Sequence, residues 1–121
     1  MSADNLRLIT RNDALIAQPI GEIDLSNADQ LATRIAEAAP GNRRGVLIDL
    51  SGVGFLDSFG ICVIVGLSQR LAQQGQSLAI VVPRDSPVLG TLRVSKVDTQ
   101  LRILNGIDEA VSMLTVADSG T

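Results

Sequence analysis

Short apolar runs alternate along the chain with longer segments in which apolar residues recur at helical spacing. The short runs predict strands and the spaced segments predict helices, in the order ββαβαβαβα. The predicted strands are Leu6–Thr10, Ala14–Ile20, Val46–Leu50, Leu78–Val82 and Leu101–Leu104. The predicted helices are a first one between Ser26 and Pro40, then Phe59–Gln74, Pro87–Val94 and Glu109–Val116. This alternation favours a single α/β domain with a mixed, mostly parallel sheet of about five strands and four helices.

Polar and glycine residues indicate where these elements begin and end. The predicted caps are Ser26 with Asp29, Ser86 before Pro87, and Asp108 at helix N-termini, and Gly75 at a C-terminus. The stretch Ser51–Phe55 contains two glycines and predicts a loop. From about residue 117 the chain predicts a polar tail.

Composition narrows the class of protein. A chain of 121 residues with 45% apolar and 19% charged residues is ordinary globular material, long enough for one core. Two phenylalanines are the only aromatic residues, which disfavours base stacking on single-stranded nucleic acid. The net charge is −3 and no basic cluster occurs, so we expect no nucleic-acid partner.

Missing residue types exclude further chemistry. The chain has no histidine, which removes Ser-His-Asp and Cys-His catalysis and the usual zinc sites. We therefore expect no enzyme activity, no metal and no cofactor. Cys62 is the single cysteine, and no signal peptide is present, which favours a reducing, cytoplasmic setting. The longest apolar run, Ile61–Leu67, is too short for insertion into a membrane.

Ser58 is the strongest candidate for chemistry. It lies between the predicted buried strand Val46–Leu50 and the predicted helix Phe59–Gln74, directly before the helix begins. One interpretation is that Ser58 or Asp57 only caps this helix. The other is that Ser58 receives a phosphate, because a helix N-terminus favours anions and the apolar run Ile61–Val65 leaves apolar surface for a partner nearby. Such a phosphate would add roughly −1.5 to −2 charge beside a contact surface, which makes a switch for binding.

Three motifs carry a resemblance to a known family. They are "GEIDLSNA" at Gly21–Ala28, "VLIDLSGVGFLDSFGICVIVGL" at Val46–Leu67 and "SKVDTQLRILNGIDEAV" at Ser95–Val111. Together they resemble the STAS domain, and more narrowly the bacterial anti-sigma factor antagonists. The resemblance covers nearly the whole chain in order, so we expect a single STAS domain over residues 1–121.

The resemblance implies a function and a mechanism. In that family the serine after the aspartate, here Ser58, is phosphorylated by the partner, an anti-sigma factor with serine kinase activity. The unphosphorylated antagonist binds the anti-sigma factor and frees a sigma factor, as in stress-response partner switching. Phosphorylation releases the antagonist, and a phosphatase resets it.

The resemblance and the apolar surface expected near Ser58 together predict a set of partner-binding residues around Ser58. They are Asp24, Asp57, Ser58, Phe59, Gly60 and Ile61. Phe59 departs from the family, which usually has serine or threonine there, and leaves Ser58 as the one acceptor in the motif. Asp24 either lies near the start of the Ser58 helix and contributes to recognition of the partner, or only shapes its loop. Asp57 either orients the Ser58 hydroxyl or caps the helix, and the cap is favoured. Gly60 is interpreted as a backbone device for the strand-to-helix passage, and Cys62 as a small core residue rather than a redox sensor.

Two other classes of function are weighed against this one. A STAS component of a lipid or anion transporter assembly would have a similar sequence, and its membrane partners would identify it. A serine hydrolase is disfavoured because the chain has no histidine and no Gly-x-Ser-x-Gly elbow.

Overall fold

The computed structural model describes residues 5–95 and 101–119, which form seven strands and four helices. The strands are β1 (Leu6–Arg11), β2 (Ala14–Pro19), β3 (Gly21–Ile23), β4 (Gly45–Asp49), β5 (Val53–Leu56), β6 (Leu78–Val81) and β7 (Arg102–Leu104). The helices are α1 (Ala28–Ala38), α2 (Ser58–Gln73), α3 (Pro87–Val94) and α4 (Ile107–Ser119). All five predicted strands and all four predicted helices are therefore present.

Five strands form the main sheet in the order β1-β2-β4-β6-β7. The pair β1–β2 is antiparallel, and every other pair in this sheet is parallel. The hairpin turn places Asn12 and Asp13 at positive φ, a conformation that these two residue types tolerate better than most. The mixed sheet is confirmed, with β4 at its centre as its apolar sequence predicts.

Helices cover both faces of the main sheet. Alternate residues of β4 point to opposite faces, so Val46 and Ile48 join the core under α1, α2 and α3, while Leu47 joins the core under α4. A strand buried on both faces is apolar at nearly every position, which is why β4 shows no polar alternation in the sequence.

The end of β4 is held by a buried carboxylate. Asp49 is 3% exposed and accepts hydrogen bonds from Gln18 Nε2 at 3.0 Å and from the backbone nitrogen and hydroxyl of Ser51 at 3.0 and 2.7 Å. These bonds satisfy a group that would be costly to bury unpaired. They also fix the direction in which the chain leaves the sheet toward α2.

A second sheet of two parallel strands, β3 and β5, lies outside the sequence prediction. The interpretation of Ser51–Phe55 as a loop is wrong, because Val53–Leu56 is a strand. Its alternation is hidden by Gly54, and its partner β3 is distant in sequence. Tertiary pairing, rather than local propensity, forms both strands.

Three predicted ends of helices also need correction. Helix α1 begins after Asn27, so the capping box of Ser26 with Asp29 is not formed. Asp108 lies within the first turn of α4 rather than before it, and α4 runs on to Ser119 through residues predicted as tail. The rest of that tail, and residues 96–100 of the third family-like motif, lie outside the described residues.

Candidate functional site

The strand-to-helix turn before α2 is fixed by Asp57. Its backbone nitrogen donates to the carbonyl oxygen of Ile23 at 3.2 Å, which ties the turn to the end of β3. Its carboxylate accepts a hydrogen bond from the backbone nitrogen of Gly60 at 2.8 Å. Asp57 is therefore the N-cap of α2, as the sequence favours, and satisfies one of the free N–H groups of the first turn.

Ser58 is the first residue of α2, and its side chain is exposed. The prediction of an exposed serine at a helix N-terminus is confirmed. Because Asp57 caps the helix, the Ser58 hydroxyl is not needed for this purpose, and no hydrogen bond joins it to the described residues. The structure thus separates two roles that the sequence leaves combined: Asp57 caps and Ser58 presents a free hydroxyl.

Gly60 allows α2 to approach the small sheet. A Cβ atom at this position would lie 2.8 Å from Cδ1 of Leu56, 3.0 Å from Cγ2 of Ile23 and 3.2 Å from the carbonyl oxygen of Ile23. Any larger residue would push the first turn of α2 away from β3 and β5. The sequence predicts that Gly60 is needed for the passage from strand to helix. The reason is close packing, since Gly60 is buried and leaves no room for a side chain.

The loop after β3 is a network centred on Asp24. The Asp24 carboxylate accepts from the Ser26 hydroxyl at 2.6 Å and from the Ser26 backbone nitrogen at 2.9 Å. Asn27 completes the loop: its Oδ1 accepts from the Asp24 nitrogen at 3.0 Å and its Nδ2 donates to the Glu22 carbonyl at 2.8 Å. The Ser26 hydroxyl, followed by its backbone N–H, lowers the pKa of Asp24 below the ordinary 3.8.

This loop lies beside the Ser58 turn. Asp24 directly follows Ile23, whose carbonyl oxygen accepts the hydrogen bond from the nitrogen of Asp57. Asp24 and Ser58 are distant along the chain, and the pairing of β3 with β5 brings their loops together. Asn27 was not singled out from the sequence, although an asparagine close after an aspartate in a turn is a signal for such a network.

Two neighbouring helix residues face differently from what the apolar run indicates, and the interpretation of Cys62 as a core residue is wrong. Ile61 is only 4% exposed and belongs to the core, so its side chain cannot form part of a surface patch. Cys62 is exposed and is not a core residue. Successive residues of α2 are rotated by about 100° around the helix axis. Ile61 therefore faces inward with Ile64 and Leu67, while Cys62, one position later, faces outward. A continuous apolar run does not show which of its members face inward.

Exposed apolar surface near Ser58 comes from other residues. Phe59 is half-buried and packs against the core. Phe55 is 49% exposed on β5, and Leu25 is 71% exposed in the loop after β3. The exposure of Leu25 and Phe55 has no signal in the sequence, because it depends on the unpredicted β3–β5 sheet.

The surroundings of Ser58 carry negative charge. Glu22, Asp24 and Asp57 lie on the segments that form the site, and each is exposed or half-buried. No lysine or arginine occurs in residues 12–33 or 45–69 of the sequence. With no histidine in the chain, Ser58 has no imidazole base within the protein. The arrangement suits a hydroxyl that accepts a group from another protein better than one that attacks a substrate.

Within the described part of the chain, no helix has both the length and the apolar character needed to cross a membrane.

Comparison with known proteins identifies relatives of this chain. The family model of the STAS domain matches residues 5–110. The anti-sigma-F factor antagonist RsfB of Mycobacterium tuberculosis is 32% identical over 93 residues, which are 76% of this chain and 74% of that protein. An anti-sigma factor antagonist from Mycobacterium paratuberculosis has the same fold, with a TM-score of 0.80, 19% identity and coverage of 95% of this chain and 99% of that one. The murine anion transporter Slc26a9 contains a similar fold, with a TM-score of 0.69 and 19% identity over 86% of this chain and 18% of the transporter.

Proposed function

Since the chain belongs to the STAS domain family, we propose that it is an anti-sigma factor antagonist controlled by phosphorylation of Ser58. The single observation that carries this proposal is the exposed Ser58 hydroxyl, which is left free because Asp57 caps α2. A kinase can reach this hydroxyl without unfolding the helix. The relationship to RsfB supplies the class of partner, an anti-sigma factor.

The proposed cycle has two states. Unphosphorylated protein binds an anti-sigma factor with serine kinase activity, and the sigma factor is freed. The kinase then transfers the γ-phosphoryl group of ATP to Ser58 Oγ, ADP leaves, and the hydroxyl proton passes to a base of the kinase. The phosphorylated protein is released, and a phosphatase hydrolyses the phosphoserine. The chain itself performs no catalysis in this cycle, binds no nucleic acid and acts in the cytoplasm.

The hydration of a phosphate explains why phosphorylation of Ser58 would weaken binding. The phosphate adds roughly −1.5 to −2 charge beside the half-buried apolar side chain of Phe59. The N–H of Gly60 already donates a hydrogen bond to Asp57, so the helix N-terminus has one fewer free N–H group to bind the phosphate. A strongly hydrated group in the middle of a contact surface must lose water when the partner docks, and this cost opposes binding.

The remaining site residues have different proposed roles. Asp24 and Phe59 meet the partner directly, since both are at least partly accessible beside Ser58. Asp57 holds the Ser58 turn in place through its bond to Gly60. Gly60 and Ile61 act from below by packing α2 against the core.

The experiment is intact-mass spectrometry of the protein incubated with ATP and purified anti-sigma factors of its own organism, tested one at a time. We expect one phosphate with the cognate kinase, none on Ser58→Ala, and one on Ser68→Ala, a control farther along the same helix. Calorimetry should show that Ser58→Ala binds and is not released by ATP, and that Ser58→Glu binds more weakly. Absence of binding and of phosphorylation with every such kinase would sink the proposal.

A transporter-associated role is the second candidate, because the same fold occurs within the anion transporter Slc26a9. This likeness concerns the fold alone. Co-purification of a membrane transporter with the protein, together with an unmodified Ser58, would favour this candidate.

A further inference from the structure

Two Asp-Leu-Ser triplets in the chain form the same turn. In Asp24–Ser26 and in Asp49–Ser51 the aspartate carboxylate accepts from the serine nitrogen, at 2.9 and 3.0 Å, and from the serine hydroxyl, at 2.6 and 2.7 Å. The middle leucines differ completely, because Leu50 is 0% exposed and Leu25 is 71% exposed. The turn itself does not expose its leucine. Leu25 is exposed because no element of the described chain covers it.

Phe55 is a second uncovered apolar residue on the same substructure. It pairs with Glu22 across the β3–β5 sheet, and the next pair, Ile23 with Leu56, is buried. Paired residues share a face, so Glu22 and Phe55 both lie on the outer face of this sheet. Leu25 follows β3 by two residues, in the loop that lies beside the Ser58 turn.

We propose that Leu25 and Phe55 are apolar anchors for the anti-sigma factor, in addition to the partner-binding residues named above. Exposed large apolar side chains in a rim of charge are typical of protein–protein contact sites. The rim here consists of Glu22, Asp24 and Asp57, with no basic residue in the flanking segments. The complementary partner surface therefore has an apolar recess bordered by arginine or lysine. This inference rests on the proposed function and names the docking surface of that partner.

The same charges disfavour a second copy of this chain as the occupant. A symmetric dimer through Leu25 and Phe55 would place the acidic rim of one copy against that of the other. Like charges facing each other across an interface are costly. A basic partner surface gains from the same rim.

The test is calorimetry of the full chain with its cognate anti-sigma factor, in the absence of ATP. We expect Leu25→Ala and Phe55→Ala each to weaken binding by roughly tenfold or more, as truncation of buried anchors does. Met113→Ala is the matched control, since Met113 is 39% exposed on α4, which covers the other face of the main sheet, and should leave the affinity within about twofold. Urea unfolding of each variant shows whether the fold is retained. Where Phe55→Ala loses stability, Phe55→Thr repeats the test with a residue that favours strands.

Kinetics provide a second measurement. In phosphorylation of Ser58 we expect Leu25→Ala to raise KM for the antagonist while kcat stays unchanged, since the hydroxyl is not altered. Glu22→Lys should also weaken binding, and more strongly at low salt than at high salt.

The outcomes separate the inference from the proposed function. If wild type binds and is phosphorylated but both alanine variants match Met113→Ala, the anchors are wrong and the function stands. If wild type neither binds nor is phosphorylated, the function itself falls. A wild-type dimer in sedimentation that dissociates in Leu25→Ala would overturn the assignment of the occupant.

Discussion

The Asp57 carboxylate lies 2.8 Å from the backbone nitrogen of Gly60, and this contact decides what Ser58 can do. The cap is provided one residue before the serine. Ser58 therefore stands on a formed helix with its hydroxyl unused by the described residues. Asp57 stabilises the helix and Ser58 presents the hydroxyl for modification, so a substitution can remove one role without the other.

This separation predicts different stabilities for two alanine variants. Asp57→Ala should lower the free energy of unfolding by about 1 kcal/mol, because an N-cap is lost. Ser58→Ala should change it by less than about 0.5 kcal/mol, since an exposed residue that caps nothing is replaced. Urea unfolding followed by circular dichroism measures both. Equal losses in the two variants would mean that Ser58 shares the cap.

Gly60 and Gly66 offer a matched pair on one helix. Gly60→Ala should destabilise the protein and reduce phosphorylation of Ser58, because the new Cβ would lie 2.8 Å from Leu56 and displace the first turn. Gly66→Ala meets nothing within 4 Å and should stabilise the helix by up to about 1 kcal/mol. Thermal unfolding and phosphorylation assays of both variants check this. Tolerance of alanine at Gly60 would show that the turn is looser than its packing indicates.

Asp24 should titrate at unusually low pH. The hydrogen bonds from Ser26 lower the pKa of Asp24 below 3.8. In the folded protein the Asp24 carboxylate therefore stays mostly charged when the pH has fallen to 3.8. The stability that these bonds contribute is present above pH 3.8 and is lost as the pH falls through the lower, folded value. NMR titration of the Asp24 carboxyl should give a midpoint below 3.8, and Ser26→Ala should move it upward. Identical midpoints in wild type and Ser26→Ala would contradict the observed network.

Cys62 should behave as a surface thiol. In the native protein it should react with a thiol reagent at a rate comparable to that of protein unfolded in urea, because its side chain is exposed. Cys62→Ala should change stability by less than about 0.5 kcal/mol. The neighbouring Ile61→Ala should lose about 2 to 5 kcal/mol, since it leaves a cavity in the core. Protection of Cys62 from the reagent in the native state would restore the core interpretation.

Much of the fold could be predicted from local pattern. The central strand β4 is apolar at almost every position because helices cover both of its faces, and this signal needs no knowledge of the partners. The cap at Ser86 and the stop at Gly75 are equally local, since each is decided by the backbone of one turn. Ser58, which directly follows Asp57 at the start of an apolar helix, can likewise be recognised as a candidate site from the sequence.

The tertiary structure decided the rest. The small sheet forms because β3 and β5, whose paired residues lie 32 or 33 positions apart in the chain, meet beneath α2 where Gly60 leaves room. That meeting places Asp24 beside Ser58, exposes Leu25 and Phe55, and turns Ile61 inward and Cys62 outward. A sequence specifies which residues are apolar, but the direction each one faces depends on contacts between segments that are distant along the chain. The hydroxyl of Ser58 is thus a property of the sequence, and the surface around it is a property of the fold.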